Sequence, residues 1–249
     1  MIDLFYYPTP NTRKIVMMLE EIGLPYRIVS VDITAGEQFT PAFSAISPNN
    51  RVPAIVDPDG PAGRPVAVFE SGAILLYLAE KSGKLLPRDA ERRLDALTWL
   101  FWQTSSQGPL VGQAVHFVSY APRRGIDLPY AVERYRGEAE RLYGVLDRRL
   151  DARDFIVDEF SIADIAAFPW CRVAKGHGID IDAYPNVKRW VERIADRPSA
   201  RVKPPVPTDA AGRPDAFVSD AAWKTLFARD SEAGRARAEA TTKSGSGDS

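Results

Sequence analysis

The sequence of 249 residues contains one cysteine, Cys171, and two histidines, His116 and His177. A single thiol excludes an intrachain disulfide, a Cys-x-x-Cys redox pair and a metal site built from several thiolates. The two histidines have no partner at metal-ligand spacing, so we expect no metal. Cys171 follows Trp170 in a helical pattern, which favours a buried, small apolar side chain.

An excess of charge of one sign is also missing, because 32 Lys and Arg stand against 33 Asp and Glu. The formal net charge of −1 gives no whole-chain attraction to nucleic acid or to an anionic membrane, and we expect neither as a partner. No apolar run approaches the ~20 residues that cross a membrane. The opening Met1-Ile2-Asp3 lacks the basic and apolar regions of a secretory signal, so we expect a cytoplasmic protein.

The first third of the chain alternates between strand and helix patterns. A helix with apolar residues at Ile15 and Leu19 is predicted to end at Gly23, and a second helix is predicted over 71–81. An Asp59-Gly60 turn indicates a hairpin. The predicted strands are 4–7, 26–33, 53–57 and 66–69. This order predicts a small α/β unit with a mixed sheet.

Beyond Pro87 the pattern becomes purely helical, with apolar residues at intervals of three and four over 92–107 and 129–150. Ser161 is a predicted N-cap with Asp164 three residues on. After Pro198 the composition is rich in Pro, Ala, Gly and charge, which predicts disorder apart from a short helix near 221–228. The expected divisions are an α/β domain over 1–87, an all-helical domain over 88–200 and a largely disordered tail over 201–249.

A first group of candidate site residues follows the first strand. Thr9 and Pro10 fit an N-cap and a first helical position, so simple capping explains them. Capping does not explain Arg13 and Lys14, two cations in a first turn where the helix dipole disfavours them. Cations, free amides and the short amide side chain of Asn11 at a helix start are suited to holding an anion.

Two further groups stand at later strand ends. Pro53 belongs at a strand start, where a trans Val52-Pro53 bond is favoured locally, although a cis bond costs only ~0.5–1 kcal/mol. A cis bond would turn the backbone of Val52 outward, ready to pair with an extended peptide. Glu70 follows the last strand and precedes Ser71, a predicted N-cap. A carboxylate beside a hydroxyl and free amides can receive both charges of an amino acid α-group.

Together these groups resemble the glutathione site of the thioredoxin-like domain in the glutathione transferase family. Within that family the sequence is most similar to the nu class, the bacterial glutathione-dependent disulfide-bond oxidoreductases. The motif Thr9-Pro10-Asn11 and the segment 129–135 are the more specific signals. The segments that carry the resemblance are Pro8–Asn11, Gly36–Phe39, Ser47–Pro53, Phe69–Glu80, Trp99–Gln103, Gly108-Pro109 with Gly112-Gln113, Pro129–Tyr135 and Ser161–Ile165.

The resemblance implies a thioredoxin-like domain followed by a helical bundle, a homodimer, and glutathione as cosubstrate. It implies that Gln38 holds the glycyl end of glutathione and that the backbone of Val52 pairs with the cysteinyl unit. Glu70 and Ser71 would fix the γ-glutamyl head. Arg134 would reach a glutathione carboxylate from the helical domain, either within the chain or across the dimer interface.

Thr9 and Asn11 would face the glutathione sulfur and act as the catalytic residues. A thiol with a pKa of about 8.5 is only ~3% thiolate at pH 7, and lowering that pKa by about two units requires ~2.7 kcal/mol. Because nucleophilicity falls with the pKa, activation yields only a few-fold in rate, and alignment of thiolate and disulfide must supply more. Glutathione would then reduce a small disulfide without any cysteine pair in the chain.

Two alternatives remain at this point. In a conjugating transferase the same thiolate attacks an electrophilic carbon, and Tyr6 or Tyr7 supplies the activating hydroxyl. In a transferase-like binding or regulatory module there is no turnover. The position of Asn11 and Thr9 at a helix start favours them over a tyrosine within a strand, which must point toward the core or the far face.

Overall fold

The computed structural model describes residues 1–204 and 216–227. Its strands are β1 (Ile2–Tyr6), β2 (Tyr26–Ser30), β3 (Ala54–Asp57) and β4 (Val66–Phe69). They form one sheet of order β2-β1-β3-β4, in which β1 and β2 are parallel and the other pairs antiparallel. The predicted mixed sheet and hairpin are confirmed. Strand β2 ends before the predicted Ile33, because the Asp32 carboxylate accepts the Thr34 amide and turns the chain.

The first part of the chain contains helices α1 (Pro10–Ile22), α2 (Pro41–Ile46) and α3 (Ser71–Ser82). Thr9 caps α1 as predicted, since its hydroxyl accepts the Thr12 amide at 3.2 Å. Gly23 ends α1 with φ 75°, a conformation that glycine adopts without steric cost. The prediction that Ser71 caps α3 is wrong. Ser71 is the first residue of α3, and its hydroxyl instead accepts a hydrogen bond from Lys14.

The remainder of the described chain is helical, as predicted. Two π-helical segments, Gln103–Gln107 and His116–Tyr120, join α4, α5 and α6 end to end. The predicted capping box at the start of α8 is confirmed, because Asp164 accepts the Ser161 amide at 3.0 Å. The helices are α4 (Ala90–Trp102), α5 (Gly108–Val115), α6 (Ala121–Arg123), α7 (Pro129–Arg149), α8 (Ile162–Cys171), α9 (Pro185–Ala195), α10 (Pro198–Arg201) and α11 (Asp220–Leu226).

The tail divides into a described and an undescribed part. Helix α11 occupies the position of the predicted short helix. The predicted disorder falls mainly on residues 205–215 and 228–249, which lie outside the described residues. We call residues 216–227, which include α11, the terminal segment.

One continuous hydrophobic core joins the α/β part to the helical part. Helix α1 packs against α3 of the α/β part and against α8 and α10 of the helical part. Polar contacts reinforce this junction: Arg197 makes two hydrogen bonds of 2.8 Å to Glu21, and Ser199 donates to the same carboxylate. The fold class is confirmed as a thioredoxin-like sheet unit followed by a helical bundle, whereas the domain boundaries stay predictions. Within residues 1–204 and 216–227, no helix combines the length and the apolar character needed to cross a membrane.

Candidate functional site

A cavity of about 730 Å³ opens between the loop ends of the sheet and the helices of the second part. The loop after β1, the loop before β3 and the turn after β4 form one side, and α5, α8 and the terminal segment form the other. Arg134 is the one predicted site residue that does not line it, since its side chain is exposed on α7. The predicted residues that do line the cavity are Thr9, Asn11, Gln38, Val52, Glu70 and Ser71.

The loop that carries Thr9 and Asn11 is held by a compact set of hydrogen bonds. The hydroxyl of Thr12 donates to the carbonyl of Tyr7 at 2.5 Å and lies 3.2 Å from the hydroxyl of Thr9. The amide of Thr9 donates to the same Thr12 oxygen at 3.1 Å. Because Thr12 is fully buried, these hydrogen bonds fix the loop to the start of α1 from the protein interior. Thr9 and Asn11 therefore present their side chains from a rigid helix start.

Trp170 orients Asn11, a role that its place in the sequence does not indicate. The indole Nε1 of Trp170 donates to Asn11 Oδ1 at 3.1 Å. Asn11 Nδ2 makes no hydrogen bond within the described part of the chain, so it is the group that can donate to a ligand. No local pattern marks this role: even at Gly112, which faces the indole, a Cβ would lie 3.4 Å from the Trp170 ring, an ordinary van der Waals contact.

Glu70 has a backbone conformation that is costly for a residue with a side chain, with φ 68° and ψ 117°. Such outliers concentrate at functional sites, where surrounding structure holds them in place. Asn49 Nδ2 donates to the Glu70 carboxylate at 3.1 Å, which fixes its direction beside Ser71. Carboxylate, hydroxyl and the free amides of α3 thus meet at one end of the cavity.

Two other lining groups offer backbone and amide contacts. The Val52-Pro53 bond is cis, so the local preference for trans is wrong at this position. Gln38 donates from Nε2 to the carbonyl of Ile33 at 3.0 Å, and its Oε1 has no partner among the described residues. The loop around Gln38 is tied to the loop before β3, because Asn50 donates to the carbonyl of Gln38 at 2.8 Å.

The two cations of the first helical turn do not face the cavity together as expected. Arg13 donates to the backbone carbonyls of Ala200 and Val202, so it joins α1 to α10. Lys14 is buried on the opposite side and donates to Ser71 Oγ at 3.2 Å and to Gln103 Oε1 at 2.7 Å. Burial lowers the pKa of Lys14 to about 7, against the opposing effect of the Glu70 charge. The side chains diverge because adjacent helical residues point about 100° apart.

The tyrosine hydroxyls and the cysteine thiol that could have served in catalysis do not line the cavity. Neither Tyr6 nor Tyr7 lines it, and burial raises the pKa of both hydroxyls. Cys171 is fully buried beside Gln107, and burial raises the pKa of its thiol to about 12. The described residues contain no group of three or more His, Cys, Asp or Glu side chains that could hold a metal ion.

The terminal segment builds an aromatic wall across the cavity. Phe217 meets Tyr7 edge-on at 5.9 Å and stacks on Tyr120 at 5.6 Å, with both distances measured between ring centroids. Phe227 lies 4.7 Å from the ring of His116, also between centroids. Arg124 anchors the segment through Asp220. The wall therefore connects the loop after β1 with the second π-helical segment.

Comparison with known proteins follows the same division of the chain. Residues 9–81 match the family described as "Glutathione S-transferase, N-terminal domain", and residues 114–198 match "Glutathione S-transferase, C-terminal domain". The curated protein "Disulfide-bond oxidoreductase YfcG" of Escherichia coli is 50% identical over 202 residues, which cover 80% of this chain and 92% of that protein.

Solved structures of glutathione transferases are also similar to this chain. A glutathione transferase of Pseudomonas putida, crystallised with one glutathione disulfide per subunit, has a TM-score of 0.77 and 43% identity and covers 80% of this chain and 89% of its own. A glutathione transferase of Burkholderia graminis, with two glutathione molecules per subunit, has a TM-score of 0.75 and 43% identity, with 80% and 85% covered. Family models over both parts and relatives at this level of identity lead to one conclusion: the chain belongs to the glutathione S-transferase family.

Proposed function

We propose that the protein is a cytoplasmic, glutathione-dependent disulfide-bond reductase. The observation that carries the proposal is the position of Thr9 and of the unpaired Asn11 Nδ2 at the start of α1, in the lining of a cavity that contains no thiol of the chain. Such a site can stabilise the thiolate of a bound cosubstrate. The name of the Escherichia coli relative and the glutathione disulfide bound by the Pseudomonas putida structure support the same chemistry.

The proposed reaction uses two glutathione molecules for each disulfide. The bound thiolate attacks one sulfur of the substrate, the substrate S–S bond breaks, and the leaving thiolate takes up a proton. A second glutathione thiolate then attacks the mixed disulfide and releases the second substrate thiol. The products are glutathione disulfide and two thiols, so electrons and protons balance. No cysteine of the chain takes part.

The remaining lining groups fit the parts of glutathione in the same orientation. Glu70 and Ser71 receive the ammonium and carboxylate of the γ-glutamyl head, and the backbone of Val52 pairs with the cysteinyl unit. The unpaired Oε1 of Gln38 and its neighbouring backbone hold the glycyl end. This orientation directs the cysteinyl sulfur toward Thr9 and Asn11, because they follow β1, which lies between β2 and β4 in the sheet.

The two other functions have less support. Conjugation of electrophiles through a tyrosine needs a hydroxyl at the sulfur, whereas Tyr6 and Tyr7 are buried away from the cavity lining. A binding module without turnover would have no need of the Trp170 contact that frees the Asn11 donor. Rates with hydroxyethyl disulfide and with a chlorinated nitrobenzene, each with glutathione, discriminate the three functions. The reductase turns over the first substrate much faster, and a binding module turns over neither.

The protein is proposed to act as a homodimer. Leu94 and Phe101 lie two turns apart on α4 and expose 67% and 64% of their area, which forms an apolar stripe suited to a second copy. Arg134 is exposed and away from the cavity of its own chain, so a glutathione contact by Arg134 is proposed to cross this interface. Sedimentation at micromolar concentration should give a dimer, and Phe101→Glu should give a monomer. A wild-type monomer would refute the assembly.

Asn11→Ala should lower disulfide reductase turnover by more than about tenfold, because a donor that strengthens for the thiolate acts mainly on the reacting state. The dissociation constant of glutathione should change much less. Steady-state kinetics with hydroxyethyl disulfide and calorimetry with glutathione measure the two effects. The controls Tyr7→Phe and Cys171→Ala should keep most of the activity. A silent Asn11→Ala together with an inactive Tyr7→Phe would transfer the protein to the tyrosine-type conjugases.

Glu70→Gln should weaken glutathione binding by about tenfold or more, since a hydrogen bond to a charged group contributes ~1.5–3 kcal/mol. The amide keeps the size of the side chain and loses its charge. The matched control is Glu80→Gln, at the far end of the same helix, where the exposed carboxylate pairs with Arg93. Calorimetry should find wild-type affinity for this control. Equal affinity in both variants would remove Glu70 from the site.

The aromatic wall should select for disulfides with flat apolar substituents. A chain that ends at Pro204 loses the terminal segment, whereas a chain that ends at Asp230 keeps it. The shorter chain should lose about tenfold or more in kcat/KM for dithiodipyridine, because burial of one aromatic ring contributes ~1.5–3 kcal/mol. Its kcat/KM for hydroxyethyl disulfide should change far less, and the longer chain should resemble the full protein. Equal losses for both disulfides would show that the wall does not select substrates.

A further inference from the structure

Lys14 is a buried cation with two neutral partners. Only 1% of its side chain is exposed, and its Nζ donates to Ser71 Oγ and Gln103 Oε1. In the described part of the chain the carboxylate that acts on it is that of Glu70, which Asn49 holds on the cavity side. A buried ammonium is costly unless charge or hydrogen bonds compensate it, so its persistence requires a cause.

The direction of the hydrogen bond to Ser71 suggests that cause. A protonated lysine has only donors, so with the ammonium Ser71 Oγ must be the acceptor and the hydroxyl proton of Ser71 points elsewhere. Ser71 lines the cavity. Its hydroxyl can therefore donate to an anion in the cavity while the charge of Lys14 lies directly behind it. Gln103, in the first π-helical segment, accepts a second hydrogen bond from the ammonium and so fixes its position from the helical part.

Other ionisable groups around Lys14 have partners of their own. Arg13, its neighbour on α1, is directed to α10. Helix α8 contributes Asp164, bound to Ser161 and Trp190, and the buried Cys171. On α3, Lys81 pairs with Asp57. The segment Gln103–Gln107 and helix α5 contain no ionisable side chain.

We propose that Lys14 is a positioning residue: it directs the Ser71 hydroxyl toward the α-carboxylate of the ligand, and carboxylate binding fixes a proton on its ammonium. The inference rests on the proposed function, which places that carboxylate at Ser71. In the free protein burial lowers the pKa of Lys14 to about 7, so at pH 8 most molecules carry a neutral amine. A bound anion raises that pKa again. Binding therefore takes up a proton above pH 7, and affinity falls as the pH rises beyond that value.

Calorimetry with S-methylglutathione tests the proposed proton uptake by Lys14, because the probe has no thiol whose ionisation would release a proton. Binding heats at pH 8 in phosphate and in Tris, which differ in ionisation enthalpy, give the number of protons taken up. The wild type should take up between about half a proton and one proton. Lys14→Met should take up close to none and should bind about tenfold more weakly at pH 6.5. Its thermal midpoint should stay equal or rise, since an apolar chain replaces a buried charge.

Lys188→Met is the matched control, because Lys188 is an exposed lysine paired with Asp182. Its proton uptake and affinity should equal those of the wild type. If Lys14→Met does not fold, Lys14→Gln gives the same reading with an uncharged donor. Zero uptake in the wild type, or equal uptake in the Lys14 variants, overturns the proposal. Failure of the wild type to bind S-methylglutathione at all refutes the glutathione site instead.

Discussion

The burial of helix α1 is the constraint on which the rest of the structure depends. Its residues Ile15 to Leu19 are completely enclosed between the α/β part and the helical part. Each such side chain contributes about 1.5–3 kcal/mol when it leaves water, so the helix can carry Lys14 in its interior and remain folded. The cavity lies at the N-terminal end of α1, where Pro10 and Asn11 line it. Any shift of α1 would move Thr9, Asn11 and Lys14 together.

The sequence predicted the elements that depend on local chemistry. The Thr9 cap, the Gly23 end of α1 and the Ser161 to Asp164 capping box were confirmed because each involves residues within a few positions of one another. The mixed sheet followed from its strand and turn patterns. The site residues were named from a resemblance, and six of them line one cavity. Their roles rest on the variants described above.

What the sequence did not predict depends on contacts across the fold. The opposite directions of Arg13 and Lys14 follow from packing against α10 and against the first π-helical segment, which no local pattern encodes. The Trp170 bond to Asn11 joins residues 159 positions apart. Ser71 looked like a cap, because a serine before a helical pattern fits that position. In the structure its hydroxyl instead accepts a hydrogen bond from Lys14 on helix α1.

The terminal segment lies beyond residue 198, where the match to the family ends. Its rings nevertheless complete one side of the cavity, while Thr9 and Asn11 lie within the part of the chain that matches the family's N-terminal domain. Under the proposed function, recognition of the disulfide and activation of the glutathione thiol would therefore depend on two separate stretches of the chain. Lineages that exchange, lengthen or lose such an appendage can diversify in substrate range while the reaction centre stays under unchanged selection.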